Sequence, residues 1–570
     1  MISNSVGMTL PISEEIDAMK YRQKGEDFKT KCTRIASALK DSDEHFHEFR
    51  DILLDLRFLP AGRVQNAMGS VRETTAYNCF VSGTVEDSMG DIMARATEAA
   101  ETMRRGGGIG YDFSRLRPRG DIIKSLDSKA SGACSFMGIF DAVCQTIASS
   151  GHRRGAQMAV LRIDHPDIME YITAKNNSDK LTGFNISVGV TDEFMEALTW
   201  DKPFDLKFDG RVYETIDPKA LWDTIMHSTW DWAEPGVLFI DTINRKNNLY
   251  YCETIEATNP CGEQPLPPYG ACLLGSFNLV KYVSPSGHFD FMQLSDDIHA
   301  TVPAMDNVID RTIYPLVNQE REAKDKRRMG LGVTGLANAG EMLGLKYGSA
   351  AFLLFTRQVL ETLRNEAYSA SADLAVEKGS FPLFDKSKYM KGEFIKDLPE
   401  WLLEKIHDCG IRNSHLTSIA PTGTISLTAD NVSSGIEPPF MLQYDRTIQT
   451  FDGARVETVK DYACSRGFDG ATANEITPEQ HLEVLSVAQQ FVDSAVSKTC
   501  NVGDDFSYDE FKKLYEDAWR LGCKGITTFR SAGRRFGILN ATEPAPQKTD
   551  DTGSAEACYF DPETGLRSCE

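Results

Sequence analysis

The sequence predicts an α/β fold in which many parallel strands alternate with helices. Short apolar runs such as "YNCFVSG" (77–83) and "GFNISVGV" (183–190) have the length and β-branched content of buried strands. Longer stretches such as "DSMGDIMARATEAAETMRR" (87–105) and "SFMGIFDAVCQTIASS" (135–150) have apolar residues at helical spacing. The alternation continues from roughly residue 70 to roughly residue 540, which favours parallel strands joined by helices.

The composition indicates a globular protein that can bury a sizeable core. The chain has 570 residues, of which 41% are hydrophobic and 25% are charged. No apolar run approaches the roughly 18 residues of a membrane helix, and the N-terminus lacks a secretory pattern. We therefore expect a cytoplasmic protein with no membrane partner. The net charge of −22 argues against a general nucleic-acid-binding surface.

The two ends of the chain differ from the alternating pattern. Residues 13–57 are expected to be helical, because apolar residues recur there at three- and four-residue intervals. Residues 541–557 are rich in Pro, Asp, Thr and Ala and contain no large apolar side chain, which predicts a flexible tail. Cys558 and Cys569 follow this tail. A redox role and a chance placement are equally good interpretations of these two cysteines.

The stretch "ATNPCGEQPLPPYGACLLGSFNL" (257–279) contains the most unusual cysteine. If the backbone is extended, the two-residue spacing of Asn259, Cys261 and Glu263 directs their side chains to the same side. No histidine lies near Cys261, which speaks against a thiol protease, and too few ligands are present for zinc. The pattern favours a reactive radical or redox thiol with Glu263 as base and Asn259 as positioning group.

Three further segments indicate sites for anions. "MRRGGGIGYDFSRLRPRG" (103–120) and "SSGHRRGAQMAV" (149–160) each follow an apolar helix and combine glycines with arginines. Neither segment has P-loop spacing, but together they predict an anion site near the helix pair. In "APTGTISLTADNVSSGIEPPF" (420–440), the backbone N–H groups of 422–426 are suited to phosphate. An ordinary strand-to-helix turn explains this last segment equally well.

The ordered set of motifs resembles the catalytic subunit of the ribonucleotide reductases from about residue 58 onward. The motifs are "YNCFVSG", "NPCGE", "CLLGSFNL", "RRMGLGVTGLA" (327–337), "APTGTIS" and "SGIEPP". The resemblance implies a ten-stranded α/β barrel made of two five-stranded parallel halves, with a finger loop through its centre. It implies an N-terminal helical region (1–70), the catalytic barrel (71–540) and a redox-active tail (541–570).

The resemblance also implies roles for the five residues in these motifs that carry reactive groups. Cys261 would lie at the finger tip and become the thiyl radical that removes the 3′-hydrogen of the ribose. Glu263 would take the proton of the 3′-hydroxyl, and Asn259 would hold the substrate hydroxyls. Cys79 and Cys272 match the pair that protonates the departing 2′-hydroxyl and closes to a disulfide.

Further residues are implied to bind nucleotides or to carry electrons. Cys558 and Cys569 would reduce the active-site disulfide by thiol exchange, and a thioredoxin-like protein would reset them. The loop for the phosphates of the ribonucleotide substrate corresponds to Thr422, Gly423, Thr424, Ile425 and Ser426. The site for a deoxynucleoside triphosphate effector corresponds to Asp87, Arg117, Arg153 and Arg154. Helices at about 88–103 and 135–150 would form the interface of a homodimer around that site.

The late segment "RLGCKGITTFRSAGRR" (520–535) bears on the source of the radical. Oxygen-dependent members of the family carry a tyrosine pair there, whereas this chain has Thr528 and Phe529. Phenylalanine cannot lose a proton and an electron as tyrosine does. "GCKGIT" resembles the adenosylcobalamin-dependent class, so we expect adenosylcobalamin as cofactor and no metal site formed by the protein.

Three alternatives assign the chain a different radical source or a different function. The chain could be a subunit that needs a ferritin-like radical-generating partner. It could be a glycyl-radical enzyme, because "RRFGIL" (534–539) resembles a glycine loop superficially, or an inactive nucleotide-binding paralogue. The presence of all five reactive residues speaks against the paralogue. The short N-terminal region predicts no ATP-binding cone and hence no inhibition by dATP through one, and the sequence does not choose between diphosphate and triphosphate substrates.

Overall fold

A computed structural model describes residues 6–123, 127–149, 153–154, 156–176, 180–450, 453–503, 505–530, 559–560 and 567–568. The helices are α1 (Pro11–Tyr21), α2 (Phe28–Leu39), α3 (Asp43–Leu54), α4 (Gly62–Ala67), α5 (Met89–Arg104), α6 (Ala133–Thr146), α7 (Ile168–Ile172), α8 (Asp192–Trp200), α9 (Pro218–Trp232), α10 (Ile240–Arg245), α11 (Phe291–Arg311), α12 (Val317–Lys326), α13 (Leu336–Met342), α14 (Ala350–Lys378), α15 (Lys386–Tyr389), α16 (Glu393–Lys396), α17 (Glu400–Cys409), α18 (Gly423–Leu427), α19 (Pro478–Gln489) and α20 (Tyr508–Arg520). Short 3₁₀ turns cover Leu279–Tyr282 and Cys464–Arg466.

The strands are β1 (Phe58–Pro60), β2 (Cys79–Val81), β3 (Gly108–Asp112), β4 (Ile122–Ile123), β5 (Ser128–Lys129), β6 (Ala148–Ser149), β7 (Arg153–Arg154), β8 (Gln157–Arg162), β9 (Phe184–Val190), β10 (Phe204–Phe208), β11 (Arg211–Ile216), β12 (Gly236–Phe239), β13 (Ala257–Thr258), β14 (Pro265–Leu266), β15 (Ala271–Cys272), β16 (Leu274–Asn278), β17 (Gly330–Thr334), β18 (Gln443–Thr450), β19 (Gly453–Lys460), β20 (Thr499–Val502), β21 (Gly525–Arg530), β22 (Tyr559–Phe560) and β23 (Arg567–Ser568). Several of these strands form isolated two-stranded hairpins at the surface, and the longer sheets position the site.

The N-terminal region is helical, as the apolar spacing predicts. The predicted helical stretch 13–57 is divided into α1, α2 and α3. Asp27 begins α2 by accepting a hydrogen bond from the backbone N–H of Thr30, and Ser42 begins α3 by accepting from His45. These caps explain why the helical periodicity does not continue as one long helix.

Five strands of the first half of the chain pair side by side in parallel. Their order is β2, β3, β8, β9 and β12. Nearly all residues of β8 and β9 are buried, which is typical of parallel strands covered on both faces by helices. The predicted alternation of helices with parallel strands is therefore confirmed for this part of the chain.

A second set of parallel pairings lies in the later half of the chain. β16 pairs with β17, and β20 pairs with β21. Two single bridges extend this set, since Leu331 of β17 pairs in parallel with Thr417, and Ile419 pairs in parallel with Val496. Strand β1 adds to the outer side of β16 in antiparallel direction.

The two parallel sets meet through antiparallel pairings. At one junction β12 pairs with β21, and at the other β2 pairs with β15. Only Leu273 separates β15 from β16, so the second junction leads directly into the second set. The chain is thus a mixed α/β protein with a large sheet rich in parallel pairs.

One predicted helix is shorter than expected. Helix α6 ends at Thr146, and the last residues of the predicted stretch 135–150 form β6, which pairs with β7. Within the described ranges, no helix combines the length and apolar character that a membrane span requires.

Candidate active site

The predicted finger is a hairpin whose tip carries Asn259, Cys261 and Glu263. Strands β13 and β14 pair in antiparallel direction and lead into the tip. The Asn259 side-chain oxygen accepts a hydrogen bond from the backbone N–H of Gln264 at 2.9 Å, and the two backbones bond at 3.1 Å. Gly262 has φ +80°, a left-handed conformation that glycine adopts without strain. The backbone here is therefore a tight turn, so the condition of an extended strand is not met and strand alternation does not place the three residues.

Two glycines of β3 make room for this finger. A Cβ atom added to Gly110 would lie 1.9 Å from the carbonyl oxygen of Thr258 in β13. A Cβ atom added to Gly108 would lie 3.2 Å from both the Cys79 sulfur and the Pro260 ring. The groups that approach these two glycines are therefore protein atoms rather than an anion.

We expect Gly110→Ala to reduce turnover by about 100-fold or more, because displacement of reacting groups by about 1 Å can cost that much. The added methyl group cannot coexist with the Thr258 oxygen, so either β3 or the finger must move. Steady-state kinetics and thermal unfolding measure the effect. Gly189→Ala in β9 is the matched control, because its Cβ would meet neighbours only at 3.5 Å or more. Turnover of Gly110→Ala equal to that of Gly189→Ala would contradict the assigned contact.

The structure brings Cys79 and Cys272 together as cross-strand neighbours. In the antiparallel pairing of β2 with β15, Cys79 lies directly opposite Cys272. Directly opposite residues have Cα atoms about 4.5–5.5 Å apart, which lies inside the roughly 4.4–6.8 Å range of disulfides. Both side chains are buried. The predicted pair is therefore placed where it can close to a disulfide without backbone movement.

Electrostatics connects this pair to the finger. Burial raises the pKa of the Cys272 thiol well above its usual value, and the negative charges of Glu263 and of a Cys79 thiolate raise it further. Glu263 must therefore lie near Cys272. Because Cys272 stays protonated at neutral pH, it is suited to donate hydrogen rather than to act as a thiolate nucleophile.

The finger tip is buried, and one of its polar groups has no hydrogen-bond partner among the described residues. Asn259, Cys261 and Glu263 are at most 3% exposed. Cys261 takes part in a disulfide in this structure. The Nδ2 atom of Asn259 is buried and makes no hydrogen bond to the part of the chain that the structure describes. A buried amide donor without a partner is costly unless a ligand satisfies it, so this N–H group is available to a substrate oxygen.

A cavity lies between Cys79 and the predicted phosphate loop. Cys79 and Glu263 share its wall with four of the five predicted phosphate-loop residues. Asn259, Cys261, Cys272 and Ser426 are not part of the wall. The lining consists of Tyr21, Ala61, Gly62, Asn78, Cys79, Glu263, Leu274, Gly275, Ser276, Ala420, Pro421, Thr422, Gly423, Thr424 and Ile425.

The phosphate loop is held by two motifs whose purpose the sequence did not reveal. Thr422 precedes α18 with φ +56°. Its hydroxyl lies 2.9 Å from the hydroxyl of Thr334, in the "RRMGLGVTGLA" motif, and accepts from the backbone N–H of Gly435, in "SGIEPP", at 2.7 Å. The Ser426 hydroxyl donates to the Thr422 carbonyl at 2.8 Å. Since both hydroxyls are engaged within the protein, the backbone N–H groups and Thr424 are the better donors for a ligand.

Sequence reasoning missed several lining residues. Asn78 and Ser276 lie inside recognised motifs, beside Cys79 and after β15, so their motifs were a usable signal. The Oδ1 atom of Asn78 is buried and has no partner among the described residues. Tyr21 and Gly62 come from the N-terminal helices, where helical periodicity contains no information about a cavity.

Two of the four predicted effector residues form an ion pair. The Arg117 guanidinium donates to the Asp87 carboxylate at 2.6 Å, and the Arg117 backbone N–H donates to the same carboxylate at 3.3 Å. Arg153 and Arg154 form β7, whose partner strand β6 packs against α5. The backbone thus places all four residues around the start and the side of one helix. Cys558 and Cys569 lie outside the described residues.

In the late segment (520–535), threonine and phenylalanine occupy positions 528 and 529 in place of a tyrosine pair. Thr528 and Phe529 both lie in β21. The Thr528 hydroxyl lies 2.9 Å from the hydroxyl of Tyr515, which is fully buried against Trp222 and Phe511. A single buried tyrosine beside a threonine replaces two adjacent tyrosines.

Known proteins match nearly the whole chain. The sequence profile of the ribonucleotide reductase barrel domain matches residues 77–529. A vitamin B12-dependent ribonucleoside-diphosphate reductase of Thermoplasma acidophilum is 34% identical, covering 96% of this chain and 74% of that protein. The enzyme of the same name from Mycobacterium tuberculosis is 36% identical, covering 92% and 76%. A vitamin B12-dependent ribonucleotide reductase of Rhodopirellula baltica is 27% identical, covering 84% and 54%.

Proposed function

Since the chain belongs to the ribonucleotide reductase family, we propose that it reduces ribonucleotides to 2′-deoxyribonucleotides by a thiyl-radical mechanism that depends on adenosylcobalamin. The relatives that match most of the chain are named vitamin B12-dependent reductases. One observation of the structure carries the proposal. Cys79 and Cys272 lie opposite each other within electrostatic reach of Glu263, beside a cavity that ends at the phosphate loop.

The residues suggest a balanced sequence of steps. The Cys261 thiyl radical removes the 3′-hydrogen of the ribose, and Glu263 takes the proton of the 3′-hydroxyl. Cys79 and Cys272 then supply two electrons and two protons, so the 2′-hydroxyl leaves as water and a disulfide closes between the two sulfurs. Cys261 finally returns its hydrogen atom to the 3′-carbon, and Glu263 returns its proton to the 3′-oxygen. The Nδ2 group of Asn259, which has no partner in the described part of the chain, holds a ribose hydroxyl throughout.

The residues of this chain fit a radical source that acts directly on Cys261. When bound, adenosylcobalamin supplies the one-electron chemistry that converts the Cys261 thiol to a thiyl radical. The pairing of Thr528 with Tyr515, in place of two adjacent tyrosines, supports this source over a relay from a ferritin-like partner.

We also propose that residues 71–540 form the ten-stranded barrel of the family, preceded by the helical region 1–70. Each of the two parallel sets contributes five strands if 417–419 and the segment from Val496 into β20 are counted in the second set. The antiparallel junctions β12 with β21 and β2 with β15 are the contacts that closure requires. The finger hairpin packs against β3, a strand of the first parallel set, which supports a central position.

The C-terminal tail (541–570) is proposed to carry electrons from a thioredoxin-like protein to Cys79 and Cys272. The short strand β23 lies against α18, the helix of the phosphate loop, which supports access of the tail to the cavity. We expect Cys558→Ser and Cys569→Ser to retain multiple turnovers with dithiothreitol, which reaches the cavity by itself. With thioredoxin and thioredoxin reductase, both variants should stop after about one turnover. Full activity of either variant with thioredoxin would contradict a role for the tail.

The predicted effector site and homodimer stay proposals that the surface supports. Met89 and Met93 are exposed on α5, one helical turn apart, and α6 presents the half-buried Phe136 and Ile139 beside it. An exposed apolar surface of this kind favours association. Binding of a deoxynucleoside triphosphate to the Asp87–Arg117 region should shift sedimentation toward the dimer, and no shift with any of the four effectors would count against it.

Reduction of CDP and of CTP by the purified chain tests the proposed function. The assay contains adenosylcobalamin and a dithiol, excludes oxygen and includes no partner protein. Product from either substrate establishes the activity and identifies the phosphate state that the enzyme uses. Turnover that appears only after addition of a metal-loaded ferritin-like protein would instead favour the alternative radical source.

A further inference from the structure

Two buried charged residues that take no direct part in the proposed reaction are separated from the finger by one peptide unit. Lys524, between α20 and β21, and Asp493 are each at most 2% exposed. The Lys524 ammonium donates hydrogen bonds to the carbonyl oxygens of Asp493 at 2.5 Å and of Ser494 at 2.6 Å. Neither residue lines the cavity.

The peptide unit between Ser494 and Ala495 links Lys524 to Glu263. Its carbonyl accepts from Lys524, and its N–H group donates to the backbone carbonyl of Glu263 at 2.9 Å. Because a peptide unit is planar, the direction of its N–H group is set by that of its C=O group. A cation on the carbonyl also polarises the unit and strengthens the N–H donor. Lys524 therefore orients and strengthens one of the bonds that hold Glu263.

Asp493 controls the second donor to the same carbonyl. The Ser418 hydroxyl donates to the Glu263 carbonyl at 2.9 Å. The Asp493 carboxylate accepts from the backbone N–H groups of Leu416 at 2.7 Å and Thr417 at 3.1 Å, and thereby holds the segment that presents Ser418. Both hydrogen bonds to the Glu263 carbonyl thus trace back to Lys524 and Asp493.

We propose that Lys524 and Asp493 are positioning residues that set the orientation of the Glu263 base, so that turnover depends on the charge of a lysine outside the substrate cavity. The inference rests on the proposed function, because it takes Glu263 as the base for the 3′-hydroxyl. Glu263 follows Gly262 in the turn between β13 and β14, so the hydrogen bonds to its main chain decide where its side chain begins.

The charge of Lys524 changes near neutral pH. Burial lowers the pKa of Lys524 to about 7, Asp493 and Glu393 oppose the shift, and Lys246 adds to it. His415 also faces this ammonium and is neutral, because burial holds its pKa well below the usual value. Burial raises the pKa of Asp493. Charge-assisted bonds from a protonated Lys524 weaken when it becomes an amine, so we expect kcat to fall as the pH rises through about 7.

The pH dependence of kcat and KM in Lys524→Met and Asp493→Asn tests this role. For Lys524→Met we expect kcat to fall about 10- to 100-fold below pH 7, with KM changed less than about twofold and no decline near pH 7. Asp493→Asn removes the charge that favours the ammonium, so the decline should move to lower pH. Lys326→Met is the control, since Lys326 is a buried lysine paired with Glu253 and Glu322.

Thermal unfolding gives a measurement that needs no turnover. A lysine whose pKa falls from 10.5 to about 7 on folding binds fewer protons in the folded state between these values. The Tm of the wild type should therefore rise relative to that of Lys524→Met as the pH increases from about 7 toward 10. If Lys524→Met does not fold, Lys524→Arg, charged at every pH, should keep activity and lose the decline near pH 7.

An unchanged decline in Lys524→Met or Lys524→Arg, or a parallel pH dependence of Tm in wild type and variant, would overturn the inference. Absence of turnover in the wild type at every pH would count against the proposed function instead. In that case the comparison of Tm values still decides whether Lys524 ionises within the folded protein.

Discussion

Cys261→Ala is expected to lower ribonucleotide reduction by at least about 10⁴-fold, because loss of a group that forms a covalent or radical intermediate removes the reaction path itself. Alanine has no S–H bond, so no thiyl radical can form at the finger tip. Substrate binding should change little, because the phosphate loop and Asn259 do not involve the Cys261 side chain. Product formation under oxygen-free conditions and substrate affinity by equilibrium binding measure the two effects separately.

Cys500→Ala is the matched control for this experiment. Cys500 is a fully buried free thiol in β20 and does not line the cavity. Its removal should leave kcat within about threefold of the wild type, since a small cavity mainly costs stability. Residual multiple turnover in Cys261→Ala would show that another residue carries the radical.

Cys272→Ala and Cys79→Ala are expected to end net reduction while leaving the radical at Cys261 accessible. Each deoxynucleotide requires two electrons from the Cys79–Cys272 pair, and one remaining thiol cannot close a disulfide. Less than about one product molecule should form per active site, whatever dithiol is supplied. The amount of product in a single-turnover experiment measures loss of the reductant. Exchange of the 3′-hydrogen with solvent measures whether the radical at Cys261 still forms.

Cys144→Ala provides the comparison for the cysteine pair. Cys144 is buried on α6, and burial raises its pKa to about 12. Its thiol is therefore protonated at neutral pH, like that of Cys272, but it lies outside the pair formed by β2 and β15. Wild-type product yield in Cys144→Ala together with stoichiometric loss in Cys272→Ala would assign reduction to the cross-strand pair. Several turnovers in Cys79→Ala would show that the register of β2 and β15 does not define the electron donor.

Local patterns were sufficient to predict much of this protein. The helices of the N-terminal region, α5, and the strands β2 and β9 follow from apolar spacing, because a helix or a buried strand needs a particular period of side chains. The residues of the candidate chemistry were also visible, since radical, acid–base and phosphate chemistry require specific side chains within a few positions of each other. Asn259, Cys261, Glu263 and the loop 422–426 are examples.

Tertiary structure decided how distant segments meet. Cys79 and Cys272 became partners through the register of two strands far apart in the chain, which no local period specifies. The meaning of the glycine run also depended on contact, because only the position of Thr258 shows why Gly110 has no room for a side chain.

By itself, the sequence determined which chemical groups are present and the α/β alternation of elements. The three-dimensional arrangement decided which of those groups line the same cavity and which hold the lining residues from outside the cavity. Lys524 illustrates the difference. In the sequence it is a lysine after a helix, whereas in the folded protein it is buried and donates to the Ser494 carbonyl, whose peptide unit donates to the backbone carbonyl of Glu263. The physical reason is that local propensity acts over a few residues, while burial, register and pKa depend on neighbours that only folding supplies.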